Sequence, residues 1–518
     1  MNRLTPPIET APVAAVSARQ RSNAGIAKVK AQPIHPENKT GLLGLPTELL
    51  IKITHCVQRH GPFETDSLLA TSRLLQPMAL VPDVKSIHRL QRCIAMAATD
   101  LVDSILADRR YPVDTCAHAL GSISDGLRGK VVNKALAITQ KVDSARAISA
   151  LVSDLDHLNA SERRSVANRS IKASAAETDD YDKFRFIQPL MWKLHLFEPA
   201  DQDLLISTMA GFTDEFKAQS IGGMTISAAH LTGDRLDEIA RLALPISDRY
   251  HLALAISGLG AGMMSLSRDL LTRIFDITVA EAGAMPMAFA GLASGLKGLS
   301  EVQCDQLVDA ALAIEQDMFK AVAIGGLGLG LDDLSGTRRS ELLRAALALH
   351  GWEQSECLKG FSRGACHLSE SDRNSLFDAS VKLALEYIET DPIVNLASAV
   401  KHLGVSQRND LVSLAISLSQ DANVPNGDAL MILGKQFAHL SLLHQAQIFR
   451  AASDIRNGTE RAKAIAGLAT SLIHLDEGQR THLVEAATEL PVLADKARVL
   501  GQLMAGARAL ALHEEARV

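Results

Sequence analysis

The chain has 518 residues, 47% of them apolar but only 4% aromatic, and a formal net charge of −6. A core with so few rings has to be built from Leu, Ala, Ile and Val, which favours close-packed helices over a β-sandwich. The negative balance gives no basic field for nucleic acid, and no apolar run approaches the ~18 residues that cross a bilayer, so neither nucleic acid nor membrane is an expected partner.

Residues 1–41 differ in kind from the rest. They hold Pro6, Pro7, Pro12, Pro33 and Pro36, and six Lys or Arg against two acids, Glu9 and Glu37. They show no sustained helical period and no apolar h-region, which argues against a secretory signal peptide. Such a segment cannot bury enough surface to offset its ordering, so a disordered leader is expected. An acid-poor leader can also be an address, either to an organelle or through a bacterial type III secretion system.

Residues 42–92 follow. The string Leu43-Gly44-Leu45-Pro46-Thr47-Glu48-Leu49-Leu50-Ile51-Lys52-Ile53 places a proline at a first helical position, ahead of an apolar face made by Leu49, Leu50 and Ile53. After Gly61-Pro62, Asp66 to Leu75 reads as a second apolar helix. The pair suits either a docking module or a terminal cap for a repeat array, which such arrays need. Residues 93–114 read as a connecting helical segment.

From 115 to 518 the chain repeats itself. His-Leu recurs at His157-Leu158, His195-Leu196, His230-Leu231, His367-Leu368, His402-Leu403, His439-Leu440 and His474-Leu475. The leucines step by 38, 35, 137, 35, 37 and 35 residues, the long gap being about four periods. Leu299 and Leu334 fill it without the histidine, and Met263 or Met264 fills it imperfectly. A period of this length marks stacked helix pairs. Ahead of the column, Ala288, Leu292, Leu296 and Leu299 make one helix face. Behind it, Ser300 with Gln303 has the form of a capping box, repeated at Asn159 with Glu162, Ser369 with Asp372 and Asp476 with Gln479. Val166, Leu307, Leu376 and Leu483 then occupy one apolar position eight after the column. Arg163, Arg373, Arg408 and Arg480 lie five after it. Ala pairs recur at Ala310-Ala311, Ala345-Ala346, Ala451-Ala452 and Ala486-Ala487. Gly258, Gly291, Gly326, Gly360 and Gly467 recur in the first helices, where glycine costs about 1 kcal/mol relative to alanine, so a close backbone neighbour is expected.

Several motifs invite chemistry and are read structurally. Gly325-Gly326-Leu327-Gly328-Leu329-Gly330 sits inside a first helix, in register with other packing glycines, not between a strand and a helix as a phosphate loop would. One histidine per repeat cannot converge on one metal when helices stack about 10 Å apart and ligands sit near 2 Å. A histidine ending a helix can instead bond its terminal carbonyls. The six cysteines are scattered, with no CxxC, and read as reduced, mostly buried thiols. No catalytic residue, metal site or cofactor is expected.

The Leu-Pro-x-Glu-Leu opening, Ile53 four residues after Leu49, and the Asp-x-Leu-Leu-x-x-Ser-Arg segment at 66–73 resemble an F-box. That resemblance implies a helical module that binds the Skp-type adaptor of SCF ubiquitin ligases through Leu45, Pro46, Leu49, Leu50 and Ile53, with Glu48 at the polar edge. The segment departs from the family in lacking the usual late aromatic and in carrying extra residues at 58–64. The array resembles the SKWP-like, HEAT- or armadillo-like repeats of type III effectors from plant-pathogenic bacteria, several of which also carry F-boxes. The resemblance implies secretion into a host cell, then a cytoplasmic or nuclear place there. The expectation is an all-α protein: an α-solenoid of about eleven 35-residue helix-turn-helix repeats, binding a target protein, behind an F-box-like segment. The alternative is an interaction scaffold with no role in ubiquitination.

Overall fold

The computed structural model describes residues 82–107, 116, 118–387, 391–420 and 427–517. The chain separates into two units, residues 1–50 and 51–518, and every described residue belongs to the second. The protein is an α-solenoid. Among the described residues there are 24 α-helices and no strand. Ten complete helix pairs run from Lys141 to Thr488, each a first helix, a 3₁₀ or irregular turn, and a second helix.

The local grammar follows the sequence. Capping boxes form at Asn159/Glu162, Ser300/Gln303 and Asp476/Gln479, and Ser369 Oγ accepts from Asp372 N at 3.1 Å. These caps satisfy amide groups that an α-helix leaves unbonded at its start. The turn residue ahead of each cap takes an extended backbone and drives its side chain into the core, as at Leu158, Leu368, Leu403 and Leu475. Val166, Leu307, Leu376 and Leu483 are buried beneath the second helices.

Two registers differ from the dipeptide reading. In the second complete repeat the extended, buried turn residue is Phe197, so His195 stands one position ahead of the other column histidines. In the fourth it is Leu266, not Met263 or Met264. Matching the dipeptide missed both because the position selects burial and an extended backbone rather than one residue type.

The glycines explain how the layers stack. A Cβ at Gly326 would lie 2.7 Å from Ala290 N of the preceding first helix, and one at Gly325 would lie 2.9 Å from Glu356 O of the following one. Gly258, Gly291, Gly360 and Gly467 each face a neighbour's backbone in the same way. First helices therefore meet backbone to backbone, while second helices meet through side chains and ion pairs such as Arg338 with Asp305 and Asp309, both at 2.8 Å. Only glycine permits the first kind of approach.

The ends of the array meet. Helix Pro82–Ala107 packs beside both Leu493–Arg517 and Glu477–Thr488, and Lys134 Nζ donates to Leu106 O at 2.7 Å. Helix Leu493–Arg517 lies against the turn Leu120–Ser122, where Ser122 Oγ donates to Leu500 O at 3.3 Å and Arg508 donates to Gly121 O at 2.7 Å. Gly501 faces His118 O and Gly506 faces Ala469 O, so this helix uses the glycine device on both sides. The closing repeat is thus composite: its first helix is the last in sequence and its second is Pro82–Ala107. Ile87, Ile94, Ala98, Val102 and Ile105 fill its core. That helix runs continuously through residues 92 and 93, where the sequence suggested a boundary.

Candidate interaction surface

Each repeat offers two edges: a turn edge, where its first helix passes into its second, and a junction edge, where one repeat joins the next. The turn edge is largely occupied with itself. Arg339 donates to His367 O at 2.6 Å and Arg408 to His439 O at 3.0 Å, each reaching into the following repeat. Arg373 donates to Leu368 O at 2.6 Å and Arg480 to Leu472 O at 2.9 Å. The basic column five residues after the turn thus satisfies turn carbonyls, a task expected of the histidines.

The histidines form a row. His402 is held below its ordinary pKa by burial first and then by Lys401, Arg373, His367 and His439, which places it electrostatically between its two column neighbours. His474 is lowered by burial, His513 and His439. His157 covers Gly121 of the preceding repeat, and His195 Nδ1 lies 3.0 Å from Ser227 Oγ of the following one.

The Ser227–His195 pair resembles half of a hydrolytic site, and its hydrogen bonds decide otherwise. Ser227 Oγ donates to Trp192 O at 2.8 Å, so His195 Nδ1 carries the proton and donates to Oγ. A base that activates a serine must accept that proton instead. Ser227 is also buried. Burial, the His230 ring with its centroid 4.9 Å away, and Lys193 lower the His195 pKa to about 4, so the imidazole is neutral and fastens two turns together. Nearby, burial and the charge of Asp156 push the Asp154 carboxyl up to about 7. Burial pushes the Cys357 thiol up to about 12, away from the reactive thiolate. Cys116, Cys304 and Cys357 are buried as expected, whereas Cys93 and Cys366 are exposed.

The junction edge is different. Tyr181, Tyr250, Met318 and Trp352 occupy the second position of four first helices and are 53%, 61%, 47% and 46% exposed. Each lies sixteen residues before its turn residue, Phe197, Leu266, Leu334 or Leu368. Tyr387 holds the same sequence position before Leu403, with its side chain outside the described residues. The chain has four tyrosines and two tryptophans, so most of them fall in one column. The sequence signal was present, but searching for identical recurring residues passed over a column defined by exposure. Gly351, the only glycine with positive φ among the described residues (56°), leads into Trp352. Acids accompany the column at Asp143, Asp180, Asp182, Asp248, Glu315, Asp317 and Glu353. Some are paired, as Asp180 with Lys183 at 2.8 Å. Glu315, Asp317 and Glu353 have no ion pair among the described residues.

Leu45, Pro46, Glu48, Leu49, Leu50 and Ile53, the residues the F-box resemblance implicates, lie outside the described residues, as does the leader. Among the described residues no group of three or more metal-binding side chains converges, and no helix is long and apolar enough to cross a membrane.

No known family profile matches the chain, and no curated protein matches it. Among solved structures it is similar to an engineered protein (14% identity, 73% of this chain and 98% of that one, TM-score 0.27). It is also similar to Kap121p (12%, 82% and 54%, TM-score 0.32) and to a homology model of the full-length AP-3 complex (10%, 92% and 85%, TM-score 0.28). At these scores the fold assignment rests on the helix pairs themselves.

Proposed function

We propose that this protein is a binding scaffold whose closed helical array captures a partner protein, and that it acts as the substrate receptor of an SCF ubiquitin ligase. One observation carries the scaffold reading: a repeating buried frame holds side chains that vary from repeat to repeat, with aromatic ones exposed at a fixed position. Such a frame presents a binding surface in the manner of repeat proteins. The ligase reading is supported by the F-box-like string at 42–53, whose Leu45, Pro46, Leu49, Leu50 and Ile53 would seat a Skp-type adaptor with Glu48 at the rim. Catalysis then belongs to partner enzymes, and the protein supplies proximity. Residues 1–41 would direct type III secretion into a host cell.

A paired pull-down and melting curve tests this. The parent protein is expected to bind a Skp-type adaptor. Leu45→Ala with Pro46→Ala is expected to abolish binding, because interface energy concentrates in a few apolar anchors. On the ligase reading its melting curve should not change; a fall in melting temperature without adaptor binding would instead make residues 42–92 a terminal cap of the array. A parent protein that captures no Skp-type adaptor removes the ligase reading and leaves the scaffold. Residues 1–41 fused to a reporter and not exported by a type III system would remove the secretion reading.

A further inference from the structure

We infer that the junction edge around Tyr250, Met318 and Trp352 binds a basic, amphipathic segment of a partner protein, one in which lysine or arginine alternates with apolar anchors. The inference deepens the scaffold reading and rests on it.

Three observations lead there. The exposed side chains are of the types that dominate protein interfaces: aromatic rings, and a methionine flexible enough to adapt to its partner. They come in register, because successive first helices are locked backbone to backbone by Gly291, Gly326 and Gly325. Met318 and Trp352 therefore stand at the same position on adjacent first helices, both exposed. The rings are also suited to cations: the Arg185 guanidinium already sits 5.8 Å from the centroid of Tyr181, in the same column.

Charge selects the occupant. Glu315, Asp317 and Glu353 flank the pair, and each stands near the start of a first helix with no ion pair among the described residues. An acidic or purely apolar segment would leave these carboxylates opposed or desolvated, whereas lysine or arginine beside an apolar anchor meets both features. The turn edge also exposes apolar side chains, Leu442 at 84% and Leu443 at 67%. Beside them stands Arg408, whose charge opposes a basic segment.

The test uses the full-length protein and two fluorescein-labelled synthetic amphipathic helices, one of leucine and lysine and one of leucine and glutamate. The lysine peptide is expected to bind at least about tenfold more tightly, with affinity falling as salt rises. Trp352→Ala and Met318→Ala should each weaken it about tenfold, a loss typical of an interface anchor. Asp317→Lys with Glu353→Lys should remove the preference between peptides. Unlabelled lysine peptide should shift the tryptophan emission, and Trp352→Phe should abolish that shift. Leu442→Ala with Leu443→Ala, equally exposed on the other edge, should change nothing, and circular dichroism checks that every variant is folded. Equal binding of the two peptides, no binding of the lysine peptide at high micromolar concentration, or equal loss in the turn-edge variant would each overturn the assignment. Adaptor binding with failed peptide binding removes this surface alone; peptide binding with no adaptor binding removes the ligase reading alone.

Discussion

The two edges of the array are made from the same repeats, yet they spend their side chains differently. On the turn edge, Arg339, Arg373, Arg408 and Arg480 are engaged with backbone carbonyls, and Ser227 with His195 and a carbonyl. On the junction edge, Tyr250, Met318 and Trp352 stand exposed beside carboxylates. Recurrence therefore has two meanings in this chain. The columns that bond carbonyls or fill the core hold repeats together, whether or not the residue type is kept, and the column of Tyr250, Met318 and Trp352 faces outward.

Stability measurements can break that comparison, beginning with the largest expected effect. Leu403→Ala or Leu475→Ala, beneath the turn edge, should cost about 2–5 kcal/mol in chemical denaturation, the range for a truncated buried leucine. Arg408→Ala should cost about 0.5–1.5 kcal/mol by the same measurement, because it strips an exposed hydrogen bond from His439 O that water can replace in part. Acid should act next, and through the turn edge. His195, His402 and His474 have lowered pKa values in the fold, so their contribution is present above the unfolded value of 6.5 and is lost as pH falls, for His195 toward about 4. Asp154 has the opposite sign: its contribution is present below 3.8 and is lost as pH rises through about 7. His195 and Asp154 oppose each other between pH 6.5 and 4, so the variants separate them: relative to the parent, melting temperature toward pH 4 should fall less in His195→Gln and more in Asp154→Asn. A melting temperature flat over that range in all three proteins would show that these groups are not coupled to folding. Smallest of all, Tyr250→Ala or Trp352→Ala should stay within about 0.5 kcal/mol of the parent. A loss at Trp352 matching that at Leu403 would erase the distinction between the edges.

Much of the fold was legible in the sequence because periodic packing leaves periodic residues. The capping boxes at Asn159, Ser300 and Asp476, the buried Leu307 and Leu483, and the packing role of the Gly325–Gly330 string all stand where the spacing put them. Phe197 and Leu266 were missed because the turn position tolerates any apolar side chain that can be buried. The closing repeat was not legible, since Pro82–Ala107 carries no His-Leu and its partner helix begins at Leu493. Period reports what neighbours share, and these two helices are neighbours only in space. The junction-edge column was hidden for a related reason: side chains free of packing are free to vary, and this position runs from Tyr250 and Trp352 to Glu215, Gly283 and Thr459.

The composite repeat also sets an order of events. Helix Pro82–Ala107 leaves the ribosome long before Leu493–Arg517 is made, so the side chains of Ile87, Ile94, Val102 and Ile105 wait for the ten intervening repeats before meeting their final partner. In the ten complete repeats from Lys141 to Thr488 each first helix meets its second helix within one period. Assembly of this protein therefore finishes with a single late docking event between the earliest and latest parts of the described chain. A nascent chain stalled before residue 493 still lacks the helix that packs most closely on this apolar face.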